Sequence, residues 1–197
     1  NGDCIPDIVT YERTTQEIVV VNSSTGVVMW RYPATINRSS QLALADVDGN
    51  SGVEIFANIM NTDNSSTNFG TNRLNMITFS GGNLVQVWEA DTRTAAHIPS
   101  VGAAGAPHWS PALADFDYDG VPEVYIGNQI FDATDGSLIV HGDIVNFTGT
   151  PHNVGWYPLG SNPYMTTAPV AADVLEADAQ ACFHCDGLEL IAGDQVY

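Results

Sequence analysis

The sequence predicts an all-β chain built from repeated four-stranded antiparallel units. Three observations carry this. Short runs rich in Val, Ile and aromatic residues alternate with clusters of Gly, Asn, Asp and Ser, as strands alternate with turns. No stretch keeps the 3.6-residue apolar period of an amphipathic helix, and Ala-rich segments such as 103–106 carry Gly and Pro. An acidic stretch leading into an apolar run recurs along the chain. Its fullest form is Asp115-Phe-Asp117-Tyr-Asp119-Gly-Val-Pro-Glu123, followed by Val-Tyr-Ile-Gly.

Taken in order, the first copy of that stretch is Asn1-Gly-Asp3-Cys-Ile5-Pro-Asp7, and strands are expected at 7–11, 17–22 and 27–32. The second is Asp46-Val-Asp48-Gly-Asn50-Ser-Gly52-Val-Glu54, with strands at 41–45, 54–60, 74–79 and 84–90. The third predicts strands at 111–114, 123–127, 129–133 and 137–141. The fourth is degraded, Cys185-Asp-Gly187-Leu-Glu189, and lies downstream of Ala171-Ala172-Asp173. Gly26, Gly82 and Gly136 fall where tight hairpins need positive φ. Asp46, Asp115 and Asp173 are separated by 69 and 58 residues. Four-stranded units at such a period point to blades of a β-propeller, in preference to a β-sandwich or a solenoid. Small residues at Ala43, Ala45, Ala112, Ala114, Ala171 and Ala172 suit innermost strands that crowd at an axis. The approximate repeats are 1–36, 37–106, 107–167 and 168–197. Both ends read as cut inside a repeat, so the chain is expected to be an incomplete part of a larger propeller.

Charge narrows the function. There are 23 acidic residues against five Arg and no Lys, for a formal net of −18. A nucleic-acid partner needs a basic surface and is excluded, as is an anionic membrane surface. No apolar run approaches 18 residues, so no membrane-inserted helix is expected. The acids sit in short loops, where alternating carboxylates at i, i+2 and i+4 with a fourth at i+8 suit a hard cation that takes six to eight oxygens, Ca²⁺. Mg²⁺ keeps several waters in a strict octahedron and suits the pattern less. Three such ions would bring the net charge to about −12.

The acidic loops resemble those of FG-GAP/VCBS repeats, found in integrin-α-like propellers and many secreted bacterial proteins. The matching pattern is Asp-x-Asp-x-Asp/Asn-Gly-x-x-Asp/Glu before an apolar strand. Residues 46–55 and 115–124 follow it, with Ser51 where Gly is usual, and residues 1–8 follow what remains of it. Asn22-Ser-Ser-Thr-Gly-Val-Val-Met-Trp30 also resembles the Thr-Gly-x-x-x-Trp turn of quinoprotein-type propellers. The resemblance implies two or three structural Ca²⁺ ions. In the third copy Asp115, Asp117, Asp119 and Glu123 would supply side-chain oxygens and Val121 a carbonyl. In the second, Asp46, Asp48, Asn50 and Glu54 do so with the carbonyl of Gly52. The first retains Asn1, Asp3 and Asp7, with Ile5 at the carbonyl position. The fourth puts Phe183 and Cys185 at ligand positions and carries no such expectation; Asp173, Glu176, Asp178 and Asp186 remain nearby.

Cys182-Phe-His-Cys185 is a lone CxxC. Zinc would need more ligands than His184, so a disulfide is expected, either local or from one of the pair to Cys4. Asn-x-Ser/Thr sequons at Asn22, Asn37, Asn64 and Asn146 permit glycosylation. In a blade meander the acidic loops share one end with the Gly turns. The other end receives the long connections 61–72, 91–110 and 142–167. These hold His97, His108, Trp109, His152, Trp156, Tyr157 and Tyr164, which suit sugar stacking or a protein contact as well as simple loop packing.

The function expected is non-catalytic: an extracellular, secreted or cell-surface calcium-stabilised module for adhesion, binding a glycan or protein ligand or assembling with itself. The alternative is part of a calcium-dependent polysaccharide lyase or hydrolase. Against that alternative, the five Arg form no recognisable cluster, His108 and His152 have nothing to pair them, and no nucleophile or metalloprotease motif is present.

Overall fold

The structure is a computed structural model that describes residues 5–36, 40–50, 52–60, 72–91, 110–127, 129–141, 156–157, 165–166, 170–172, 187–192 and 195–196. These residues form strands, turns and coil, with no helix among them. The first sheet holds β1 (Ile8–Glu12), β2 (Glu17–Val21) and β3 (Val28–Pro33). The second holds β4 (Ala43–Ala45), β5 (Glu54–Met60), β6 (Asn72–Ser80) and β7 (Asn83–Asp91). The third holds β8 (Ala112–Ala114), β9 (Glu123–Ile126), β10 (Gln129–Phe131) and β11 (Leu138–His141). A two-stranded pair, β12 (Trp156–Tyr157) and β13 (Met165–Thr166), precedes a last sheet of β14 (Val170–Ala172), β15 (Glu189–Ala192) and β16 (Gln195–Val196).

Every sheet is an antiparallel meander whose spatial order is its chain order. Where the connection is short, as after β2, β6 and β10, a tight turn can only return the chain beside the strand it left. The turns after β2 and β10 are built alike. Asn22 and Asp132 donate their backbone N–H to Val27 and Ser137, and their carbonyls accept from Gly26 and Gly136 at 2.8 and 2.9 Å. Gly26 and Gly136 take φ of 71° and 76°, in the left-handed region the sequence assigned them. The 142–167 segment, expected as loop, contains the β12–β13 hairpin. Two-residue strands leave too short a pattern to read from sequence.

One irregularity recurs at the same place in three sheets. The outermost pairing slips by one residue: Val20 faces Trp30 but Val21 faces Val28, Met76 faces Trp88 but Ile77 faces Gln86, and Ile130 faces Val140 but Phe131 faces Leu138. Met29, Val87 and Ile139 are therefore the extra residues of three equivalent bulges. Each bulge re-aims the residue that follows it: Trp30, Trp88 or Val140.

The sheets pack face to face in chain order. On β5, Ile55 and Ala57 join Ile18, Val20, Ala34 and Ile36 of the first sheet and its exit, while Phe56 joins Val124, Ile126 and Phe131 of the third. The period of two along a strand thus feeds two cores from one sheet. Tyr125 and Ile130 in turn pack with Leu190 of the last sheet. Each fully buried Phe, Leu or Ile in these cores contributes roughly 1.5–3 kcal/mol of transfer free energy. The entries to β4 and β8 lie side by side, where the Gln41 N–H donates to Ser110 Oγ at 2.8 Å. An all-β series of antiparallel meanders, two of them four-stranded, is what the described residues establish.

Candidate metal centre

The link from β4 to β5 coils on its own side chains. The N–H of Gly49 donates to Asp46 Oδ1 at 2.8 Å, that of Asn50 to Asp48 Oδ1 at 3.0 Å, and that of Gly52 to Asn50 Oδ1 at 3.2 Å. Gly49, fourth in the loop, takes φ 70°. Glu54 returns to the same point from the first residue of β5 and is completely buried. Its Oε2 accepts from the Val47 N–H at 3.1 Å and its Oε1 from Thr78 Oγ1 at 3.0 Å. Asp46, Asp48 and Glu54 each bring a carboxylate oxygen within 4.8 Å of the others.

The β8–β9 link repeats the arrangement. The Asp119 N–H reaches both Asp115 Oδ1 and Asp117 Oδ1, at 3.1 and 3.2 Å, and the Gly120 N–H reaches Asp115 Oδ2 at 2.9 Å. Glu123 opens β9, and its Oε2 accepts from the Phe116 N–H at 2.8 Å. Asp115, Asp117 and Glu123 form the second close group, again within 4.8 Å of one another. The fourth residue of this loop is Tyr118, at φ 59°. A non-glycine residue there carries about 1–2 kcal/mol of strain.

Electrostatics make these groups receptive to a cation. Two like unit charges 4.8 Å apart repel by roughly 3 kcal/mol at an effective dielectric near 20. The Glu123 carboxyl is raised above the ordinary carboxylate range. Burial is the main cause, with Asp117 and Asp115 adding to it against the opposing Phe116 N–H. A divalent ion would reverse the sign of that charge effect. The donors of both triads are carboxylate oxygens, without imidazole or thiolate, which fits a hard cation.

Of the residues the sequence singled out, Asp46, Asp48 and Glu54 come together, as do Asp115, Asp117 and Glu123. Asn50 and Asp119 lie in the same two loops and also accept loop N–H groups: Asn50 Oδ1 from Gly52 at 3.2 Å and Asp119 Oδ1 from Val121 at 2.8 Å. Val121 packs partly buried against the core between the second and third sheets. In the first copy, Asn1 and Asp3 lie outside the described residues. Ile5 is half exposed, and Asp7 Oδ1 accepts from the Ser23 N–H at 3.4 Å just before β1. Glu189, the matching residue of the fourth copy, is buried at the start of β15. Cys4, Cys182 and Cys185 lie outside the described residues. So do His97, His108, Trp109, His152 and Tyr164, and the side chains of Trp156 and Tyr157 are likewise undescribed.

Thr78 was not anticipated. Its signal is register: Ile55 pairs with Ile77, which sets Thr78 across from Glu54. Phe116 was also missed as a joint. Its carbonyl accepts from the Leu188 N–H at 3.0 Å, tying the third loop to the last sheet.

No protein-family model matches the chain, and no curated protein does. Among solved structures it is similar to the crystal structure of exotype rhamnogalacturonan lyase YesX. Identity is 18% and the TM-score 0.46, over 89% of this chain and 25% of that one. The chain thus spans a quarter of that protein's length, and a likeness at this level says nothing about activity.

Proposed function

We propose that this chain is a calcium-braced segment of a β-propeller of the FG-GAP/VCBS kind, acting outside the cell as a non-catalytic binding or assembly module. One observation carries the reading: the same carboxylate triad recurs at the same corner of two consecutive sheets. Recurrence at a structural corner, clamped to loop N–H groups, suits an ion that holds strands in place. Each sheet would be one blade, with a small-residue innermost strand and a bulged outer one. Ca²⁺ would be held by Asp46, Asp48 and Glu54 and by Asp115, Asp117 and Glu123, supplying charge neutralisation and loop order.

The ligand side of the proposal, glycan or protein, rests on composition: a strongly acidic surface and long aromatic-bearing connections. A glycan array probed with the 197-residue chain in Ca²⁺ tests it. Calcium-dependent retention on a defined glycan class supports a binding module, and ordered self-association without ligand supports assembly. Release of unsaturated uronate from a polysaccharide would overturn the non-catalytic reading.

A further inference from the structure

We infer that Asn22 is an acceptor for an N-linked glycan, a site that builds on the extracellular reading above. Asn22-Ser23-Ser24 is a sequon placed in a described turn, between β2 and β3, with residues 23–26 exposed. The side-chain oxygen of Asn22 is fully committed to that turn. Oδ1 accepts from the Ser24 N–H at 3.1 Å, the Thr25 N–H at 2.9 Å and Thr25 Oγ1 at 2.9 Å. Two backbone donors on one atom fix which end of the amide is oxygen. The Nδ2 group therefore points away from these donors, and it makes no hydrogen bond among the described residues.

An internal comparison shows that the turn does not need this nitrogen. Asp132 occupies the same place between β10 and β11, with the same backbone bonds. There a carboxylate oxygen does the work, accepting from the Thr134 N–H at 2.7 Å and Thr134 Oγ1 at 2.6 Å. Both residues also sit one step beyond a strand pair that ends in an acidic loop, Val21 with Ile8 and Phe131 with Val124. Only the oxygen is structural, so the amide nitrogen at position 22 is surplus to the fold and available for chemistry.

The step joins Nδ2 to C1 of a sugar supplied as a polyprenyl-diphosphate oligosaccharide. The C1–O bond breaks, the diphosphate leaves with its electron pair, and Nδ2 gives up one proton. The +2 residue contributes its hydroxyl to sequon recognition, whereas Ser24 contributes only its backbone N–H to the turn. A glycan here would stand at the end of the sheets that carries the acidic loops and hairpin turns.

The test is secretion of the full chain from a eukaryotic host, followed by mass analysis of the peptide between Arg13 and Arg31 before and after peptide-N-glycosidase. The host supplies the secretory route, so the result reads the acceptor chemistry of Asn22 and not the native location. We expect occupancy in the wild type and complete loss in Ser24→Ala, which keeps every turn hydrogen bond. Asn22→Asp should also lose the glycan and melt like wild type produced unglycosylated in a bacterial host, with its Asn22 amide intact, because Asp132 closes the same turn. An unmodified Asn22 in the secreted, folded chain overturns the inference. So does a large loss of stability in Asn22→Asp, since the amide nitrogen would then belong to the fold.

Discussion

Trp88 Nε1 donates to the carbonyl of Ala133 at 3.1 Å, so the outer strand of the second sheet is pinned to the hairpin turn of the third. The ring lies against Gly136: a Cβ at that position would fall 2.6 Å from Trp88 Cε3. The preceding pair of sheets shows a related contact, where Trp30 packs on Phe79 with centroids 4.3 Å apart and the rings tilted by 48°. Both tryptophans follow the bulge that recurs in each outer pairing, which turns the ring toward the next sheet. Truncation of Trp88 to Ala should cost about 3–5 kcal/mol. Gly136→Ala should cost roughly 2 kcal/mol, from its φ of 76° and the blocked ring site. Urea melts of both single variants and the double would show strong non-additivity if the two form one joint.

A second joint links the third loop to the last sheet. A Cβ at Gly187 would fall 2.1 Å from the Phe116 carbonyl oxygen, which also accepts the Leu188 N–H. Gly187→Ala should therefore destabilise by about 2–3 kcal/mol. Hydrogen exchange localises the effect: amides of β15 should lose protection while those of β2 keep theirs. Uniform loss across all sheets would argue that the contact is not local.

Most strands were legible because β-branched runs and Gly turns are local signals. The expected 54–60 strand, for example, is β5 to the residue. The two close carboxylate groups were legible for the same reason, since their spacing is written along one loop. What the sequence concealed is contact across sheets. Val140 stands where Trp30 and Trp88 stand, yet no local pattern marks Trp88 as the partner of Gly136. Thr78 becomes visible only after the β5–β6 register is known, and Tyr118 gives no sign of its left-handed backbone. Asp119 is placed by the sequence in the same loop as Asp115 and Asp117, and its Oδ1 accepts from the Val121 N–H, a loop bond of the kind those two carboxylates also make.

Thr78 orients a buried carboxylate, and its removal should be felt at the proposed metal site. Thr78→Val leaves the buried Glu54 Oε1 without the hydroxyl that donates to it. We expect a loss of about 1–3 kcal/mol and roughly tenfold weaker calcium binding at that corner. Calorimetric titration of Thr78→Val beside Thr78→Ser separates the hydroxyl from the methyl: the Ser variant should retain the wild-type affinity.

Stability should respond to pH through Glu123, and metal should change the sign. Its folded carboxyl is raised from the ordinary 4.5, first by burial. A raised folded value means that stability from this group is full below the unfolded value and is lost as pH rises through the folded one. In chelator, the wild type should lose stability relative to Glu123→Gln as pH climbs from 4 toward neutrality. With Ca²⁺ the ionised carboxylate is favoured, so the wild type should gain on Glu123→Gln over the same climb. Denaturant melts at both ends of this range, with and without metal, check both arms.

The calcium brace itself is tested most directly by thermal melting of the wild type in Ca²⁺, in Mg²⁺ and in chelator. At a free Ca²⁺ concentration 100 times Kd, each site adds about 2.7 kcal/mol. Two sites in a chain of this size should raise Tm by on the order of 10 °C, with Mg²⁺ giving much less. Asp46→Ala and Asp115→Ala should each remove about half of the rise. Superimposable melting curves in Ca²⁺ and in chelator would contradict the assignment of these two corners as calcium sites.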